Sequence, residues 1–206
     1  MPEVLVPASR LERWVANFAE RHCGAALAVH GGALAGRAPD GSTFSARLPF
    51  DAAYDGAPEA GALAATVTPP ATWGVLLVRK GGFAIARLDR GTLAEHKIGR
   101  RHVQGRTKAG GQSQQRFARR RDNQARQAYE AAADHAARIL NLDRLDRRLV
   151  VVAGGDRPAV DEVLRDARLS RVAVVEPWLA VPDPKRRVLD QAVLDAQAVR
   201  VDVTNA

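Results

Sequence analysis

Three consecutive residues of this 206-residue chain, Gly110-Gly111-Gln112, combine features that ester cleavage uses. Paired glycines let the backbone take positive φ or come very close to a ligand. Gln112 adds a main-chain N–H and a neutral carboxamide that both donates and accepts. A main-chain N–H aimed at developing negative charge is a common way to stabilise an acyl-transfer transition state. No Ser-His-Asp or Cys-His arrangement and no G-x-S-x-G turn accompanies the tripeptide. The pattern therefore argues against a nucleophile carried by the protein, and water is left as the attacker.

The charge around the tripeptide points to a polyanion. Lys plus Arg number 31 and Asp plus Glu 23, a formal charge of +8. From Lys97 to Arg121 there are nine basic residues and no acid. The remainder holds 22 basic against 23 acidic residues, so the whole excess sits in that one segment. Such a block repels itself unless something negative lies against it, and phosphate is the usual partner. The plainer alternative is a solvated helix face joined to a flexible basic loop.

These residues need elements to position them. Trp73–Arg79, Phe83–Asp89 and Thr92–Ile98 read as three strands of a meander, turning at Gly81-Gly82 and Arg90-Gly91. Residues 99–112 (GRRHVQGRTKAGGQ) hold four glycines and read as an exposed loop. A long helix follows from Ser113 to about Leu140, with Phe117, Ala125, Ala128, Tyr129, Ala132, Ala136, Ile139 and Leu140 on one stripe. Leu149–Ala153 reads as a buried strand, Asp156-Arg157-Pro158 opens a helix, and Arg171–Glu176 is a further strand. Pro177–Pro184 then reads as a loop and Lys185–Val199 as a last helix. Upstream, residues 8–22 read as an amphipathic helix with a capping box at Ser9, Asp40-Gly41 as a hairpin turn, and 51–71 as a loop. The expected fold is a mixed α/β (α+β) sheet with a β-α-β second half.

The run His96-Lys97-Ile98-Gly99-Arg100-Arg101-His102, then Gly110-Gly111-Gln112-Ser113, then Arg116-Phe117-Ala118-Arg119 and Arg121, resembles the central domain of archaeal and eukaryotic class I peptide release factors. The likeness spans about residues 73–180 and is most specific over its basic core. The chain departs from the full factors in having 72 residues before Trp73 and no Asn-Ile-Lys-Ser codon-reading motif. What remains resembles the VLRF (Vms-like release factor) family of stand-alone peptidyl-tRNA hydrolases, most closely its actinobacterial members.

That resemblance implies a release-factor central-domain-like fold with an extended basic Gly-Gly-Gln loop. It implies codon-independent release of stalled nascent chains from the large ribosomal subunit, in ribosome-associated quality control. Gly110, Gly111 and Gln112 would act at the tRNA 3′ end, the Gln112 N–H on the developing oxyanion or departing 3′ oxygen. Arg100, Arg101, Arg106, Lys108, Arg116, Arg119, Arg120 and Arg121 would lie against RNA. The partners implied are the large subunit, its ribosomal RNA and peptidyl-tRNA, with no cofactor, metal, DNA or membrane. The main rival is a non-catalytic ribosome- or tRNA-binding adaptor of the same fold, for which the tripeptide would be superfluous.

The rest of the chain sets the background. A single cysteine, Cys23, excludes a disulfide framework and a cysteine-built zinc site. No run of 18 apolar residues reads as a membrane span, and Met1-Pro2-Glu3-Val4 does not open a signal peptide, so a cytoplasmic monomer is expected. Domain boundaries are expected at 1–72, a helix and hairpin region packed on the same domain, and 73–206, the catalytic domain. Gly154-Gly155-Asp156 reads as a turn with an Asp cap in preference to a phosphate cradle.

Overall fold

A computed structural model describes residues 3–100, 112–140 and 148–206, with Arg100 and residues 112–125 described by backbone alone. The chain forms two compact units, one of residues 1–70 with 193–206 and one of residues 71–192. The C-terminal stretch thus belongs with the N-terminal segment, and the second unit closes at 192, short of the 206 expected from sequence.

The first unit is a five-stranded antiparallel sheet with two helices. Its strands are β1 (Glu3–Val6), β2 (Ala26–His30), β3 (Ala33–Arg37), β4 (Thr43–Arg47) and β10 (Val199–Thr204), in the order β1-β10-β4-β3-β2. Leu11, Val15 and Phe18 of α1 (Leu11–Arg21) share a core with Val6, Leu34, Phe44, Val199 and Val201. Trp14, Phe18 and Phe44 form an aromatic triangle with centroids 5.0–5.9 Å apart. Gly36 lies across the ladder from Phe44, and a Cβ there would stand 2.1 Å from its ring, so the glycine makes the seat for that ring. The Asp40 carboxylate accepts from Ser42 N–H at 2.8 Å and pairs with His22 Nδ1 at 2.6 Å, closing the hairpin expected at Asp40-Gly41.

The second unit is a mixed sheet in the order β7-β6-β5-β8-β9. The meander β5 (Thr72–Arg79), β6 (Gly82–Asp89) and β7 (Thr92–Arg100) is antiparallel, and β8 (Leu149–Gly155) and β9 (Val172–Leu179) run parallel to β5. One face carries Leu76, Val78, Phe83 and Ile85 under Ala132, Ala136, Ile139 and Leu140 of α3 (Gln112–Leu140) and under Val160 and Val163 of α4 (Arg157–Leu164). On the other face Trp73, Val75 and Leu77 are also buried, which explains the unbroken apolar run. Gly74 admits Leu140, whose Cδ2 would meet a Cβ there at 2.6 Å.

Several expectations are corrected. The 51–71 stretch contains α2 (Ala60–Thr66), too short to show a period, with Leu63 fully buried. Helix α1 has Arg10 at its N-cap after a 3-10 turn, Ala8–Arg10, and Ser9 makes no capping bond there. Cys23 is exposed. β9 continues through Pro177 to Leu179, which an edge strand tolerates. The last helix, α5 (Arg186–Asp195), stops short of Val199, where β10 begins. Gly154 and Gly155, expected in a turn, are the last residues of β8, and their space is filled by their own chain: a Cβ on Gly154 would lie 2.4 Å from Leu179 O, and one on Gly155 2.2 Å from Val78 O. Asp156 caps α4 by position and accepts from the Lys80 N–H, so the strand end leaves no phosphate cradle.

Helix α3 is tied down where its apolar stripe lies. Arg168 forms two side-chain bonds to Asp166, at 2.9 and 2.6 Å, and one to Asp134 of α3 at 2.6 Å. The two side-chain bonds to Asp166, with the one its carboxylate accepts from the Arg168 N–H, hold the Asp166 pKa down to about 2. A depressed carboxylate lends stability above its ordinary range and loses it as pH falls through the folded value. Asp166→Asn is therefore expected to lower stability at neutral pH and to flatten its decline between about pH 4 and 2, as measured by urea unfolding across that range. Gly154→Ala is expected to cost about 1–3 kcal/mol by overpacking, and an unchanged melting temperature would contradict that reading.

Candidate functional site

The tripeptide stands between two described stems. One is β7, which leads from the meander to Arg100; the other is α3, whose first residue is Gln112. Of the residues named from sequence, Arg101, Arg106, Lys108, Gly110 and Gly111 lie outside the described residues. Arg100 ends β7, and Arg116, Arg119, Arg120 and Arg121 fall on the first third of α3, all described by backbone alone. Because Gln112 opens the helix, its N–H belongs to a first turn whose donors have no carbonyl to bond within the helix. The positive end of the helix dipole lies at the same turn. A donor so placed suits developing negative charge.

The stems are joined by an aromatic seat. Phe83 of β6 faces Gly99 of β7 across the ladder, and a Cβ on Gly99 would stand 2.3 Å from the Phe83 ring. The glycine of the His96-Lys97-Ile98-Gly99 motif therefore admits a ring onto the strand beside the arm. On its other side Phe83 meets His135 of α3, with ring centroids 5.6 Å apart. Glu95 of β7 reaches Arg138 of α3 at 2.5 Å and Arg87 of β6 at 3.8 Å, one carboxylate between two guanidinium groups. His96, on the opposite face, lies 3.1 Å (Nε2) from an Arg186 nitrogen, and Arg186 also holds Asp190.

Sequence reading passed over Glu95 and Arg138, which are 43 positions apart and share no motif. The one available signal was that Glu95 is the last acid before the basic window. Among the described residues no group of three or more His, Cys, Asp or Glu side chains could hold a metal. No helix there is long and apolar enough to cross a membrane.

His135 is held below the ordinary histidine range, first by burial and then by Lys97 and Arg138, with Asp134 opposing. A neutral ring adds no charge to a stem already rich in cations. In an NMR titration His135 is expected to take up its proton at a lower pH than a free histidine, and Lys97→Ala is expected to move that midpoint upward. A midpoint that stays put in the variant would remove Lys97 as a cause.

The model of one family, described as Actinobacteria/chloroflexi VLRF1 release factor, matches residues 71–202. No curated protein matches the chain. The matched span takes in both stems, the basic window and the tripeptide between them, so the chain belongs to the Actinobacteria/chloroflexi VLRF1 release factor family.

Proposed function

We propose that the protein is a codon-independent peptidyl-tRNA hydrolase that releases stalled nascent chains from the large ribosomal subunit, in ribosome-associated quality control. The observation that carries this reading is the position of Gln112. It directly follows two glycines and opens a long helix whose far half is buried on a sheet, inside a release-factor family match. The substrate is the ester between a nascent peptide and the 3′ oxygen of tRNA. Water attacks the ester carbonyl, the 3′ oxygen leaves with a proton, and the products are a peptide acid and free tRNA. The Gln112 N–H bonds the developing oxyanion or the departing oxygen, and its carboxamide positions the water. One such donor is worth about 3–4 kcal/mol, and fixing the water contributes further by removing its freedom.

The basic residues hold the arm to RNA without reading sequence. Arg100, Arg101, Arg106, Lys108, Arg116, Arg119, Arg120 and Arg121 are the proposed contacts. The partners are the large subunit, its RNA and peptidyl-tRNA.

Release from large subunits bearing a nascent chain tests the reading. Gln112→Ala keeps the main-chain N–H and removes the carboxamide that positions the water, and is expected to lower the rate by about a hundredfold while subunit binding is kept. Arg119→Glu is expected to weaken binding first. If about five cations engage RNA, log K should fall with log[salt] at a slope of about −3.5 to −4.5. Hydrolysis by Gln112→Ala at near the parent rate would overturn the assignment of Gln112, and absence of release by the parent protein would leave the non-catalytic adaptor as the better description.

A further inference from the structure

Among the described residues β1 is the outermost strand of its sheet, paired only with β10 from Glu3↔Asp202 to Val6↔Val199. Natural edges are commonly blunted by shortness, proline, lysine, a bulge or an inward-pointing charge. Glu3–Val6 has only four residues and lies between Pro2 and Pro7, but it carries no proline or lysine itself, and its ladder runs without a shift. Its one charge, Glu3, lies on the face away from Val4 and Val6, 3.9 Å from Arg200. Val4 and Val6 face the core side, opposite Val201 and Val199. Val6 is buried, yet Val4 is 41% exposed.

A groove of about 490 Å³ between β1 and α1 explains that exposure. Val4, Val6, Arg10, Arg13, Trp14 and Asn17 line it. On α1 these positions recur at three- and four-residue spacing, so one helix face overhangs the edge strand. Trp14 turns part of its ring to Phe18 and Phe44 and stays half-buried. Both cations are exposed, and among the described residues no carboxylate lines the groove. Glu12, on the same helix, lies against Gly61 of α2.

We propose that the β1 edge and this groove dock an extended acidic peptide segment of a partner protein, added as a sixth strand. Its main chain continues the ladder beside β1. Its inward side chains, alternating along the strand, rest on Val4 and Trp14, and its carboxylates meet Arg10 and Arg13. Strand addition of this kind draws affinity from main-chain hydrogen bonds and selectivity from the pockets beside them. RNA fits less well, because two cations beside exposed valine offer little to a phosphate chain and nothing to it uses the free ladder. A second copy of this chain would bring Arg10 and Arg13 against their own counterparts. The site lies within residues 3–17, before the family match begins, and does not depend on hydrolysis.

Fluorescence anisotropy of the full chain tests the proposal with three labelled probes: an alternating Glu-Val peptide, its Lys-Val counterpart and oligouridylate. The Glu-Val peptide is expected to bind, and the double variant Arg10→Glu, Arg13→Glu to weaken it by at least about tenfold. Val4→Asp is expected to do the same, and Gln112→Ala to leave binding unchanged. Amide shifts in the parent protein, which need no variant, are expected to move along Val4–Val6 and Arg10–Asn17. The proposal falls if the Glu-Val peptide does not bind, if the Lys-Val peptide binds equally well, or if oligouridylate alone binds. It falls equally if the shifts gather elsewhere, or if light scattering shows the chain pairing with itself through this edge.

Discussion

Nine cations between Lys97 and Arg121, with no acid among them, gain nothing by lying against one another. Both ends of that segment must therefore be fastened by apolar contact and by anions placed outside it. At one end Gly99 gives its side-chain space to Phe83, and Phe83 in turn meets His135. At the other end the helix is held by Ala132, Ala136, Ile139 and Leu140 on the sheet. Glu95 links the two, one negative charge shared by Arg87 and Arg138 just before the basic run starts. Burial and the neighbouring cations keep His135 neutral, which spares the stem a further positive charge.

The small residues follow from the same need for close approach. Both units place a glycine across the ladder from a phenylalanine, Gly36 with Phe44 and Gly99 with Phe83. Each aromatic ring lies over bare backbone, which compensates for the packing a strand glycine lacks. Alanine has the corresponding role on α3: Ala128, Ala132, Ala133, Ala136 and Ala137 are buried and keep the helix axis near the sheet. With aromatics at only 5% of the chain, backbone proximity stands in for side-chain bulk.

The meander was legible because its strands are apolar runs bounded by glycine turns, and α3 because its stripe keeps helical period over many turns. β10 was not, although Val199, Val201 and Val203 alternate, because its partners β1 and β4 lie far away in sequence and a helix pattern runs up to it. β1 has only four residues and no pattern of its own. Proline misled the reading at Pro177, where an edge position makes the missing N–H harmless. The candidate site was legible as a string of residue types, Gly110 to Gln112 among arginines. Its support was not, since Phe83, Glu95, His135 and Arg138 become neighbours only when strand and helix pack. Local patterns carry element type, whereas contacts between distant segments carry position.

Charge alone cannot make such an arm selective. Phosphate contacts are alike along any RNA, so under the proposed function the arginines would supply affinity and orientation but no choice among sites. Selection must come from geometry fixed in the protein. Helix α3 supplies one fixed length: Gln112 lies roughly 24 Å along the axis from Ala128, the first buried side chain among those described on the helix. A helix of that span converts a packed alanine face at one end into a defined reach at the other. The conversion holds only while the buried half stays seated. The Arg168 bridge to Asp134 and the Glu95–Arg138 pair therefore bear on where Gln112 can arrive, although neither lies near it along the chain.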